Sequence, residues 1–92
     1  MIDGLNLYCK NKINKEEIIK AIGIKESDIL FINNVDEWIN KKDENIVVEY
    51  NGVLDEEDDY PGYHYYGVTL FNCNIKNKFN SLKKLDIIVD FD

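Results

Sequence analysis

Apolar and polar residues alternate from Gly4 to Lys10, with Leu5, Leu7 and Cys9 on one side and Asn6, Tyr8 and Lys10 on the other. A period of two predicts a half-buried strand. The pattern then turns helical. Asn14 followed by Glu17 makes a capping-box signature, and Ile13 and Ile18 stand where a hydrophobic staple needs them. Ile18, Ile19 and Ile22 supply the buried stripe. Gly23 suits the left-handed position that ends a helix, with Ile24 folding back on Ile19. Within 28–33, the unbroken run Ile29-Leu30-Phe31-Ile32 predicts a short buried strand. Asn34 and Glu37 repeat the capping signature and open a short helix to about Lys42, with Val35, Trp38 and Ile39 facing inward.

The β-branched segment from Ile46 to Tyr50 predicts another strand, and Asn51-Gly52 predicts a hairpin turn with Val53-Leu54 as a short return arm. Pro61 and Gly62 fit the two central positions of a type II turn. Residues 63–73 form the longest predicted strand. His64, Tyr66, Val68 and Leu70 share one face; Tyr65, Thr69, Phe71 and Cys73 share the other. Ile75, Phe79 and Leu82 have helical spacing, and Ile87, Val89 and Phe91 face inward from a last strand over 86–92. The order β-α-β-α-β-β-α-β predicts an α+β fold. Residues 1–92 form one small domain, with a mixed or mostly antiparallel sheet and two or three short helices on one face. At a sheet edge, strand 63–73 would accept a partner strand; at the centre it would be fully paired, and the pattern leaves both open.

Ninety-two residues, 45% of them apolar, allow one modest core without disulfide or metal staples. No apolar run approaches the length of a membrane-spanning helix, and the start lacks the basic and apolar regions of a signal peptide. A cytoplasmic protein is expected, with Cys9 and Cys73 as buried, reduced thiols. Abundant Ile, Asn and Lys, with no Arg or Gln, read as AT-rich coding in a low-GC bacterial or mobile-element gene.

Charge changes the picture. Between Lys42 and Lys76 the chain carries eight carboxylates (Asp43, Glu44, Glu49, Asp55, Glu56, Glu57, Asp58 and Asp59) and no lysine or arginine. Residues 1–42 are balanced, so the net charge of −7 is concentrated in the middle of the chain. Five of the acids run unbroken from Asp55 to Asp59 into Tyr60-Pro61-Gly62-Tyr63-His64-Tyr65-Tyr66. This surplus would repel a polyanion, and arginine, the usual phosphate-reading residue, is absent, so neither nucleic acid nor membrane is an expected partner. A negative field beside aromatic rings suits capture of a basic protein.

Candidate chemistry is sparse. The acidic run lacks the alternating oxygens, central Gly and distal Glu of an EF-hand loop, so a solvated or partner-facing loop is the better expectation. His64, the only histidine, has no nucleophile in its local segment but Thr69, and a contact role is expected for it. Cys9, Cys73 and His64 lack zinc-ligand spacing. No catalytic, cofactor-binding or metal residue is therefore assigned. Tyrosines anchor interfaces because a rigid apolar ring carries a polar tip. Strand alternation keeps Tyr60, Tyr63, Tyr65 and Tyr66 from all being buried on one face, so at least one or two should be exposed. The expected partner-binding set is Asp55, Glu56, Glu57, Asp58, Asp59, Tyr60, Tyr63, His64, Tyr65 and Tyr66.

On Asp55 to Asp59, Tyr60 to Tyr66 and the low-GC composition, the chain resembles the immunity proteins of bacterial toxin systems, contact-dependent inhibition and related polymorphic toxins included. The resemblance implies a non-enzymatic inhibitor and a cognate toxin with a basic surface, often a nuclease whose cleft is blocked by carboxylates standing in for phosphates. Two alternatives stay open: a phage or mobile-element anti-defence protein that mimics nucleic acid, and a small structural or adaptor domain, homodimeric or not.

Overall fold

Strand β1 (Ile2–Cys9) is followed by helix α1 (Lys15–Ile22) and a short 3₁₀ turn at Glu26–Asp28. Strands β2 (Ile29–Ile32), β3 (Ile46–Val53) and β4 (His64–Phe71) follow, then a 3₁₀ helix at Lys76–Leu85 and strand β5 (Ile88–Phe91). The computed structural model describes residues 2–32, 45–71 and 74–91. The helix predicted over 34–42, with Trp38, and the residues Asp43, Glu44 and Cys73 lie outside that range.

The five strands form one sheet in the order β2-β3-β4-β1-β5. β2 and β3 are parallel, and every other pair is antiparallel. The fold is a small α+β domain with a mixed sheet, and two helices are present among the described residues. β4 is paired on one side with β3 and on the other with β1, so it is central and has no free edge for a partner strand.

Alternation sorts the side chains as the sequence implied. Leu5 and Leu7 meet Val68 and Tyr66 across the β1–β4 pair, and Ile46 and Val48 continue this face. Onto it pack Ile18 and Ile22 from α1 and Phe79 and Leu82 from the 3₁₀ helix, forming one core. Ile32 and Val47 project to the other side and are buried too, so the β2–β3 end is buried on both faces. That matches the unbroken apolar runs at 29–32 and 46–48, since two-faced burial removes the need for alternation.

Local signals explain the ends of α1. The Asn14 side chain accepts from the Glu17 N–H at 2.9 Å, and Glu17 accepts from the Asn14 N–H at 3.2 Å. Gly23 adopts φ 73°, and the N–H groups of Gly23 and Ile24 both reach the Ile19 carbonyl. The segment after β4 is a 3₁₀ helix. Three residues per turn align Lys76, Phe79, Leu82 and Leu85. Phe79 and Leu82 are buried, whereas Lys76 at the start reaches Asp3 at 3.1 Å. That contact, reinforced by the Gly4 N–H, lowers the Asp3 carboxyl below its usual range.

One turn reading is corrected. Asn51-Gly52 does not reverse the chain; it lies inside β3, which runs on to Val53. Tyr50 pairs with Tyr66 but Val53 pairs with His64, so β3 carries one extra residue between them. Gly52 at φ 90° absorbs it. A Gly that supplies positive φ serves a bulge as readily as a two-residue turn. The reversal instead occupies residues 54–63.

Candidate protein-binding face

The connection from β3 to β4 places the acids. Its base is closed by Leu54 N–H donating to the Tyr63 carbonyl (2.9 Å) and Gly62 N–H donating to the Leu54 carbonyl (3.0 Å). The Tyr63 N–H donates to the Tyr60 carbonyl at 3.1 Å and Gly62 has φ 80°, as a type II turn around Pro61-Gly62 requires. Inside this frame the Asp58 N–H donates to the Asp55 carbonyl at 3.1 Å, and Asp58 Oδ2 accepts from the Asp55 N–H at 2.7 Å. Asp58 thus has a structural duty as well as a charge. The loop has a defined shape, and all five carboxylates are exposed on it. Among the described residues none of them forms an ion pair.

Strand register places the rings. Tyr8 and Tyr65 are opposite each other on β1 and β4, on the face turned away from α1. Their rings are nearly parallel, 10° apart in plane and 5.3 Å between centroids. Tyr60 folds from the loop onto Tyr8 at 4.8 Å, and Tyr63 stands 5.7 Å from Tyr60. The Tyr65 hydroxyl donates to Asn6 Oδ1 at 2.8 Å, which fixes that ring. Asp90 of β5 pairs in register with Asn6 and adds a carboxylate to this face. Burial, followed by Tyr65, Asp90, Tyr60 and Asp59, pushes the Tyr8 hydroxyl above its usual value. A cavity of about 180 Å³ opens among Tyr8, Leu54, Asp58, Asp59, Tyr60 and Tyr65.

The ten expected contact residues therefore divide. Asp55 to Asp59, Tyr60, Tyr63 and Tyr65 belong to the loop and the adjoining rings, the tyrosines being half-buried. Tyr66 does not join them. Alternation turns it into the core, where it is 1% exposed and its hydroxyl accepts from the Ile13 N–H at 3.1 Å. His64 also leaves β4 on the helix side. Its Nδ1 shares a 2.8 Å hydrogen bond with the Tyr50 hydroxyl, and Lys12 Nζ lies 4.7 Å from the Tyr50 ring centre. Tyr8 and Leu54, which line the cavity beside the loop, were not among the expected contact residues. Tyr8 was legible as a polar-face residue of its strand, but its place beside Tyr65 depends on β1 pairing with β4.

Other sites offer less chemistry. Cys9 is opposite His64 in register, yet burial, with a smaller contribution from Glu17, pushes its thiol up to about 12. A nucleophilic cysteine needs the opposite shift. No group of three or more His, Cys, Asp or Glu converges among the described residues in a way that could hold a metal ion. A cleft of about 450 Å³ lies between α1 and the 3₁₀ helix, far from this loop in the chain, and is lined by Glu17, Lys20, Ala21, Ser81, Lys84 and Leu85. No described helix is long and apolar enough to cross a membrane. In comparisons with known proteins, the chain matches no family model, no curated protein and no solved structure.

Proposed function

We propose that this protein is a non-enzymatic inhibitor of the bacterial toxin-immunity type, acting in the cytoplasm on a cognate toxin with a basic surface. One observation carries the reading. Five contiguous carboxylates stand exposed on an ordered loop, without an ion pair among the described residues, beside a half-buried cluster of tyrosines. Such a run repels itself, and a basic partner would relieve that repulsion. The loop's own hydrogen bonds reduce the ordering cost of binding, because its shape exists before the partner arrives. Carboxylates would steer the encounter and the rings would hold the complex. A nuclease cleft built for phosphates is a fitting target.

Co-expression with the toxin encoded by the adjacent gene tests the proposal, with cell survival and the association rate of the purified pair as readouts. Survival and a salt-sensitive association are expected. The absence of a neutralised toxin, or an association indifferent to Glu56→Lys, Glu57→Lys and Asp59→Lys combined, would overturn it. Asp58 is left intact in that variant because it also caps the loop.

A further inference from the structure

The cavity beside the acidic loop has walls of two kinds. Tyr8, Tyr60 and Tyr65 provide aromatic surface, with centroid separations of 4.8 and 5.3 Å that make them one continuous cluster. Asp58 and Asp59 provide charge, and Leu54 completes the lining without contributing a polar side chain. Among the described residues no basic side chain lines it. Asp58 commits one oxygen to the Asp55 amide, leaving the rest of its acceptor capacity and that of Asp59.

Rings with negative faces, in the field of two carboxylates, favour a cation over a neutral group of the same size. The cation's shape follows from the walls. A guanidinium is flat, so it stacks on an aromatic plane while its N–H fork reaches a carboxylate. An ammonium is a compact, strongly hydrated point charge, which gains less from a half-open aromatic wall. At about 180 Å³ the cavity suits one side-chain head and not an extended segment.

We infer that the cavity formed by Tyr8, Tyr60, Tyr65, Asp58 and Asp59 receives one arginine side chain of the partner protein. The inference rests on the inhibitor reading for its occupant, but the cavity's preference can be measured without the toxin. The full chain, with its tyrosine rings labelled for NMR, is titrated with N-acetyl-arginine amide, its lysine counterpart and its citrulline counterpart. Citrulline keeps the shape of arginine and removes the charge.

Saturable shifts at Tyr8, Tyr60 and Tyr65 are expected with the arginine probe. Citrulline should bind about tenfold more weakly, and Tyr60→Leu should weaken arginine by a similar factor while Tyr60→Phe keeps it. Melting temperatures of the variants separate loss of the site from loss of the fold. No saturable shift with arginine, equal binding by citrulline, or tighter binding by lysine overturns the assignment. Arginine saturation without any neutralised toxin upholds the cavity's chemistry and removes the inhibitor reading. Full neutralisation by Tyr60→Leu combined with Asp59→Asn removes the cavity assignment and leaves the inhibitor reading standing.

Discussion

Tyr65 and Tyr66 leave β4 on opposite sides, so truncating them tests different properties. The Tyr66 hydroxyl accepts the Ile13 N–H in the core. Tyr66→Phe leaves that donor without its partner and should cost about 1–3 kcal/mol of stability. Urea unfolding measures the loss, and partner binding by the folded variant should not change. A second residue-scale prediction concerns alkali. An unfolded cysteine loses its proton near pH 8.5, whereas folded Cys9 holds it up to about 12. The unfolded state therefore binds fewer protons across that window. The thiol's contribution is complete below pH 8.5 and declines as pH rises toward the folded value. Burial pushes the Tyr66 hydroxyl up as well, so its contribution erodes in the same direction above its ordinary value. Denaturation midpoints measured from pH 8 to 11 should fall steadily, and Cys9→Ala should flatten the early part of the decline. At this scale the sequence told inside from outside well. Alternation put Leu5 and Leu7 on the buried side and grouped Val68 with Leu70 on one face of their strand, because a half-buried strand repeats every two residues whatever its neighbours are. Choosing which of four clustered tyrosines would meet a partner required knowing the core-facing side of β4, and consecutive rings give no such sign.

Elements were legible where their determinants are local. The ends of α1 follow from Asn14, Glu17 and Gly23, all within one turn of the boundary they set. Gly52 shows the converse. Asn-Gly carries the same positive-φ signal for a turn and for a bulge, and only the β3–β4 register distinguishes them. Gly52→Ala tests this reading. Nothing lies within 4 Å of the added Cβ, so the cost is backbone strain at φ 90° and not a clash. About 1–2 kcal/mol is expected from equilibrium unfolding. A neutral result would mean that the backbone relaxes and that the bulge does not need glycine. The 3₁₀ helix after β4 was similarly ambiguous, since Phe79 and Leu82, three residues apart, fit either helix type.

Across the whole molecule, the two faces of the sheet differ. α1 and the 3₁₀ helix cover one face, while the β4–β1–β5 part of the other presents Tyr65, Tyr8, Asn6 and Asp90 beside the acidic loop. Steered encounters reach ~10⁸–10⁹ M⁻¹s⁻¹ at low salt, against ~10⁵–10⁶ without steering. Replacing Glu56, Glu57 and Asp59 with lysine should therefore lower the association rate by more than tenfold and flatten its dependence on ionic strength. Stopped-flow mixing with the proposed toxin partner at several salt concentrations measures both. The acidic run could be read directly from the sequence. Its union with Tyr8 could not, because that contact joins residues more than fifty positions apart.

The placement of β1 has a consequence for how the chain acquires its shape. Ile2 pairs with Phe71 and Leu5 with Phe91, so the first strand finds both of its neighbours in the last third of the chain. Loop closure must be met before those pairings reward it, so β1 is expected to join the sheet late in folding. While it is being synthesised, β1 has no strand to join until β4 has left the ribosome. If the proposed inhibitor function holds, a toxin arriving before then would meet a chain whose Tyr8 and Tyr65 are still apart, and protection would lag behind synthesis by the folding time.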